Sequence, residues 1–216
     1  MKLDEVMAFL AEHGDERTKA TLIKHGACEP FFGVKVSDLK KVVKKIKKDH
    51  ALSLELYATG NSDAMYLAGL IADDQQITEQ TLEEWVNQAY WYYISEFTVP
   101  WVAAETKYGR ALALQWMQRA EESVASAGWC TYSSLVTVTE DEELDLDEIR
   151  ALLSEVASSI HEKQNRVRHT MNAFVIAVGS SVAPLLGDAR STLSAWAHWQ
   201  LGRIGYGPCE GKLQYD

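Results

Sequence analysis

The chain has 216 residues, with 21 Lys and Arg against 31 Asp and Glu and a formal net charge of −10. A hydrophobic content of 47% with 24% charged residues excludes a disordered chain. The acidic balance counts against strong nonspecific binding to duplex DNA and does not exclude a localised contact.

The N-terminus, MKLDEVMAFLAEHGDERTK, is amphipathic with acidic residues in its first turn. It lacks the apolar core and small-residue cleavage site of a signal peptide. No apolar run reaches the roughly 18 residues of a membrane span. The expected setting is the cytoplasm, with no membrane contact and a monomeric chain. Cys28, Cys130 and Cys209 are odd in number, widely spaced and without a CxxC pair. That argues against a disulfide framework and a structural zinc site, and Cys130 is expected as a buried thiol.

Only four prolines occur, and the hydrophobic periodicity is helical almost throughout. Leu3, Val6, Met7 and Leu10 predict a first helix ending at Gly14, and Ala20, Leu22 and Ile23 a second closing at Gly26. Ser37 is the expected N-cap of a third, with Leu39, Val42, Val43 and Ile46 facing inward. Leu52, Leu54 and Leu56 mark a short fourth helix, and Asn61 or Ser62 caps a fifth through Ile71. Residues 78 to 89 predict a sixth. The aromatic stretch from Tyr90 to Glu105 contains Pro100, which is expected to kink or end a helix.

Beyond it, 110 to 119 and 121 to 128 read as a helical pair. The β-branched run 129 to 138 reads as helix, because a lone strand would have no partner. Residues 140 to 148 carry seven acidic groups, the later ones at the start of a helix over 149 to 160, where negative charge is favourable. Helices over 166 to 178 and 191 to 201 follow, the second carrying Trp196 and Trp199. The glycine-rich tail, about 203 to 216, reads as irregular. Short helix pairs without one long bundle predict an all-α fold, an α-α superhelix of HEAT-like repeats, as one continuous domain over 1 to 216. Such solenoids bind long ligands, either a polymer or another protein.

Charge is unevenly spread. Residues 31 to 50, FFGVKVSDLKKVVKKIKKDH, hold seven lysines against Asp38 and Asp49. The lysines fall opposite the apolar stripe, so this helix presents a basic face. Such a face is either ordinary solvated surface or a contact for a polyanion. Arg166, Arg168 and His169 form a second basic group, with Arg166, His169 and Asn172 on one helical face. In that position they would contact phosphate or a base edge, or form intrachain ion pairs. Trp85, Tyr90, Trp91, Tyr92, Tyr93, Phe97 and Trp101 fall within 17 residues. They are either packing between helices or a stacking platform for a base. Glu96 and Glu105 flank them as candidate acids or bases, or as plain surface carboxylates. The histidines are scattered without HExxH, and no GxGxxG, GxxxxGKS or GxSxG occurs. No metal and no cofactor is therefore expected.

The stretch FFGVKVSDLKKVVKKIKKDHALSLELYATGNSDAMYLAGLIADD resembles the DNA alkylation repair (AlkD-like) family of HEAT-repeat proteins. An aromatic-Gly-Val precedes a capped basic helix, then HALSLEL and SDAMYLAGLIADD follow in the family's order. The resemblance continues more weakly, covering about residues 15 to 200. It implies a helical superhelix gripping duplex DNA, and a monofunctional glycosylase that excises alkylated bases without base flipping. In that family an aspartate four residues after a tryptophan stabilises the cationic sugar, aided by an arginine and a later tryptophan.

This sequence departs at each of those places. In AYWYYISEF the tryptophan matches Trp91, but the position four later is Ser95, with Glu96 one step on. In GWCTYSSLV the tryptophan is Trp129 and the arginine positions read Thr131 and Tyr132. In RVRHTMNAFVIAVG the later tryptophan falls near Ala173 or Phe174. The resemblance thus implies a divergent branch keeping the scaffold. It would contact DNA phosphates through Lys40, Lys41, Lys44, Lys45, Lys48, Arg166 and Arg168. Trp91, Tyr92, Ser95, Trp101, Trp129, Tyr132 and Asn172 would line its altered pocket. Two alternatives stay open. One is an active alkylpurine glycosylase using Glu96 or Glu105. The other is a protein-interaction scaffold whose acidic stretch, 140 to 148, recruits a basic partner.

Overall fold

The structure, a computed structural model, describes residues 1 to 196. The helix expected to run to 201, with Trp199, and the tail from 203 lie partly or wholly outside them. The described residues are helical, and their only β feature is an isolated bridge between Gly14 and Val34. They divide into two compact units, one over Met1–Val102 and the other from Ala103 onward.

The first unit holds α1 (Leu3–Glu12), α2 (Glu16–Lys24), α3 (Val36–Ile46), α4 (His50–Ala58), α5 (Ser62–Ile71) and α6 (Glu79–Gln88). A π-helical turn, Ile94–Thr98, then leads into α7 (Val99–Ala104). Local chemistry sets these boundaries. Asp15, Asp49 and Thr78 cap α2, α4 and α6 by accepting backbone N–H groups of Thr18, Leu52 and Thr81. Asn61 caps α5, accepting from both Asp63 and Ala64. Ser37, in contrast, lies inside α3, whose cap is the extended Lys35. The hydroxyl therefore caps nothing, and the helix starts one residue before it.

α5 is the centre of this unit, with Ser62 to Ala68 and Ile71 all buried. Tyr57 of α4 stacks on Trp85 of α6 at 4.1 Å and donates its hydroxyl to the Trp85 carbonyl at 2.6 Å. Pro100 does not end the helix. It has no N–H to give to the preceding turn, and the chain relaxes to i→i+5 spacing just before it, with the Val99 N–H reaching Ile94 O. Cys28 is half-buried; Cys209 lies outside the described residues.

The second unit holds α8 (Gly109–Met117), α9 (Glu122–Val138), α10 (Leu146–Ser159), α11 (Asn165–Ser181) and α12 (Leu186–Trp196). Short 3-10 turns lie at Asp141–Glu143, Ile160–Glu162 and Ala183–Leu185. The expected break at Gly128 is absent, because α9 runs straight through it. A Cβ there would meet Met117 N at 2.6 Å and Ala113 O at 2.7 Å. The glycine is present so that α8 and α9 can touch backbone to backbone. Cys130 on α9 is half-buried rather than fully buried. The core of the unit runs through Trp129, Tyr132, Ile149, Leu153, Met171, Phe174 and Val178.

Candidate nucleic-acid interface

The geometry of the basic face follows from the loop before it. Residues 32 to 34 carry three backbone N–H groups with no helical partner. The Asp63 carboxylate takes all three: Phe32 N and Gly33 N donate to Oδ2 at 2.6 and 2.9 Å, and Val34 N donates to Oδ1 at 3.2 Å. Burial raises the Asp63 pKa above its ordinary value, and the three N–H donors only partly offset that. Gly33 has φ +78, and a Cβ would meet the Lys19 backbone N at 2.8 Å. No other residue type fits this close approach without strain. α3 therefore starts from a loop fixed to both α5 and α2.

On α3, Leu39 and Val42 are 2% and 1% exposed, while Lys35, Lys40, Lys41, Lys44, Lys45, Lys47 and Lys48 are all exposed. Three of the seven have acidic partners: Lys35 with Asp15 at 3.5 Å, Lys41 with Asp38 at 2.7 Å, and Lys48 with Asp74. Among the described residues, Lys40, Lys44, Lys45 and Lys47 take part in no ion pair. Lys47 was not among the DNA contacts expected from the sequence, and its backbone singles it out. It ends α3 at φ 64, ψ −124, the only positive φ outside glycine among the described residues. That combination lies outside the αR, β and αL regions and costs a side-chain-bearing residue about 1–3 kcal/mol. No sequence signal marks it, since glycine is the usual residue at such a stop.

The aromatic run is sorted by depth. Trp91 is 5% exposed and packs with Ala27 and Phe31, its Nε1 donating to His25 O at 3.2 Å. Tyr92 meets it edge-on at 5.5 Å. Tyr90 donates its hydroxyl to Gly60 O at 3.0 Å, and burial pushes its pKa up to about 12. Phe97 and Trp101, at 37% and 39%, remain exposed. Trp91 is thus buried, while Tyr90 and Tyr92 are half-buried.

The altered catalytic positions lie on the π turn. Ser95 N bonds to Trp91 O at 3.1 Å, so Ser95 sits one helical turn from Trp91, as expected. It is 1% exposed, and its hydroxyl has no hydrogen-bond partner among the described residues. Glu96, expected as a surface carboxylate or an acid-base group, is buried at 6% exposure. Glu105 is exposed and lies in the second unit.

The other expected pocket residues also belong to the second unit. Trp129 is fully buried against Phe174 at 5.3 Å. Tyr132 is 3% exposed and donates its hydroxyl to Glu148, which also accepts from Arg110 Nε and Nη2, both at 2.8 Å. Burial and that carboxylate hold the Tyr132 phenol above its ordinary pKa. Where the family resemblance implied a free arginine, a tyrosine is thus engaged in an intrachain network. Asn172 is half-buried, and Arg168 is half-buried with Nη2 on Asn165 Oδ1 at 3.2 Å. Arg166 N donates to Glu122 Oε1 at 2.7 Å, and burial together with Arg166 lowers the His169 pKa. Arg166 and Arg168 are each half-buried, whereas the α3 lysines are exposed.

Short paired helices that present a lysine face, with no strand among the described residues, define an all-α protein of the HEAT-like repeat class. The chain belongs to the family described as DNA alkylation repair enzyme, which matches residues 6–189. It is 32% identical over 153 residues to an uncharacterized protein of Listeria innocua, and 31% identical over the same length to one of Listeria monocytogenes. In each case the match covers 69% of this chain and spans 65% of the relative's length. A solved structure is similar with a TM-score of 0.87 and 36% identity, covering 90% of this chain and 83% of that one. It is described as a new family of proteins related to the HEAT-like repeat DNA glycosylases with affinity for branched DNA structures.

Proposed function

We propose that this protein binds DNA, with a preference for branched forms, through the face of α3, and that it lacks the family's base-excision activity. The observation that carries the reading is the set of four exposed lysines without ion pairs, Lys40, Lys44, Lys45 and Lys47, on one rigidly anchored helix. Lysine ammonium groups held apart from carboxylates release counterions when they meet phosphate, which is the main source of affinity for nucleic acid. The strained backbone at Lys47 supports the same reading, since a charge is kept where glycine would be easier. The branched-DNA preference is proposed by analogy with the similar solved structure, which is described as having affinity for branched DNA structures. The absence of excision rests on Ser95, which is neutral and buried where the family's mechanism needs a carboxylate.

The test is salt-dependent binding of fluorescent junction and duplex DNA. Changing Lys40, Lys44, Lys45 and Lys47 to Glu is expected to abolish retention at low salt. Lys47→Gly alone is expected to raise stability by about 1 kcal/mol while weakening binding, which separates the charge from the fold. Unchanged affinity of the fourfold variant would refute the reading.

One observation favours a second reading. Glu96 is a buried carboxylate beside the aromatic run, and excision would then use Glu96 in place of Ser95. Release of alkylated purines from damaged DNA, lost in Glu96→Gln, is its signature.

A further inference from the structure

Four rings of the first unit form a closed circuit. Tyr66 stacks on Tyr93 at 5.0 Å, Tyr93 meets Phe97 at 5.5 Å, Phe97 meets Trp101 at 5.8 Å, and Trp101 returns to Tyr66 edge-on at 5.7 Å. The circuit is asymmetric in depth. Tyr66 is 7% exposed and Tyr93 half-buried, with burial holding the Tyr93 phenol up at about 12. Phe97 and Trp101 are more than a third exposed. Two apolar rings are thus held at the surface by two phenols beneath them.

The backbone below does not let the rings retract. Phe97 lies within the π turn, where Ser95, Glu96 and Thr98 on either side are buried. Gly69 of α5 packs so closely against Thr98 that a Cβ would meet Thr98 Cγ2 at 2.5 Å. The widened turn and this close approach set where Phe97 projects. Fixed aromatic faces of this kind are suited to stacking, because little side-chain freedom is lost on contact.

We propose that Phe97 and Trp101 form a stacking platform for an unpaired nucleobase, and that this platform discriminates branched or gapped DNA from continuous duplex. The proposal rests on the DNA-binding reading above and supplies its structural selectivity. Two features identify the occupant. A fully buried aromatic side chain covers roughly 150–250 Å², so two rings at these exposures offer on the order of 150 Å². A protein partner needs about 800 Å² per side, whereas a single base needs only a ring face. The same unit also carries the unpaired lysines of α3, which suit the strand's phosphates. In an intact duplex each base is already stacked on both sides. A base at a junction, gap or flap end is not, so only there is the platform occupied without first paying for unstacking.

The test compares a three-way junction and a linear duplex of equal length, each with 2-aminopurine at the position nearest the branch or its linear equivalent. Four proteins are used: the native chain, Phe97→Leu/Trp101→Leu, Trp101→Phe, which keeps a ring, and the variant with Lys40, Lys44, Lys45 and Lys47 changed to Glu. Urea midpoints establish that each is folded. The double Leu variant is expected to lose about 10- to 100-fold in junction affinity, from the usual stacking contribution per base. It is expected to keep its duplex affinity within about twofold and to lose the fluorescence change that the native protein produces on the junction. Trp101→Phe is expected to retain most of both. Undiminished junction preference in the double variant overturns the platform, as does an equal loss on junction and duplex. If the native protein binds no DNA at all, the DNA-binding reading falls with it. If only the lysine variant loses binding, the platform alone falls.

Discussion

Removing the Asp63 carboxylate should damage the basic face without touching a lysine. Asp63→Ala leaves the N–H groups of Phe32, Gly33 and Val34 without their acceptor, two of the three bonds being buried. An orphaned buried donor costs about 1–3 kcal/mol. Removing a buried carboxylate also removes a desolvation cost, as the raised Asp63 pKa shows. With the Phe32 site only part-buried, the net loss is expected to be about 3 kcal/mol. Asp63→Asn separates the two effects. Its one carbonyl oxygen can take the Oδ2 place and keep the Phe32 and Gly33 bonds, but its NH₂ group then faces the Val34 N–H, donor against donor. About 1 kcal/mol of loss is expected for that variant. Urea unfolding measures both, and hydrogen exchange at residues 32 to 34 localises the damage. If Asp63→Ala lost under 1 kcal/mol, or if Asn proved as harmful as Ala, the loop would not be held by this carboxylate.

Two further outcomes can be checked directly. Gly128→Ala gains helix propensity of about 1 kcal/mol but drives a methyl group into the backbone of α8. A net loss of about 2 kcal/mol is expected in urea unfolding, and a neutral or stabilised variant would refute the close approach of α8 and α9. Glu148 is held below its ordinary value of 4.5, chiefly by Arg110 and also by Tyr132. A carboxylate with a depressed native pKa binds fewer protons folded than unfolded as pH falls toward 4, so its stabilisation is present above 4.5 and lost below the native value. Arg110 is 56% exposed, so solvent screening limits the effect to about 1 kcal/mol. The stability gap between the native chain and Glu148→Gln should be open at pH 7 and shrink as pH falls below 4.5 through the native value, and a gap constant over that fall would exclude the linkage.

The all-α class and most helix positions were legible because period and caps are local properties. The Leu39–Val42 stripe and the Asn61 cap appear where the sequence put them. Several failures share one cause, that a residue type has more than one use. Gly128 reads as a helix stop, yet the missing Cβ serves helix contact. Pro100 reads as a kink or an end; the helix is irregular there but continues, because a turn of i→i+5 spacing absorbs the proline, and such spacing has no signature in side-chain periodicity. Glu96 reads as a surface residue because burial is decided by the surrounding helices. Asp63 drew no notice beside the Asn61 cap because its three partners lie about 30 residues away in sequence. The division after Val102 falls within α7, so no change in composition marks it.

Two charge runs stood out in the sequence, one basic and one acidic, and each could have been solvated surface or an interaction site. The structure treats them differently. Asp141 accepts from Ala183 N at 3.1 Å, Asp145 caps α10 through Glu148 N at 3.0 Å, Asp147 pairs with Arg150 at 2.8 Å, and Glu148 holds Arg110. Four of the seven acidic groups thus serve the chain's own helix starts and ion pairs, which removes the main reason to assign them a basic partner. On α3 the balance runs the other way. Three lysines of seven have carboxylate partners and four are exposed without one; of those four, Lys44, Lys45 and Lys47 lie in the last turn or at the C-cap, where the helix dipole favours them, and Lys40 lies further back. Charge concentrated beyond local need is the physical signature of a surface kept for a ligand of opposite sign. By that criterion the basic run, and not the acidic one, is the face to test first.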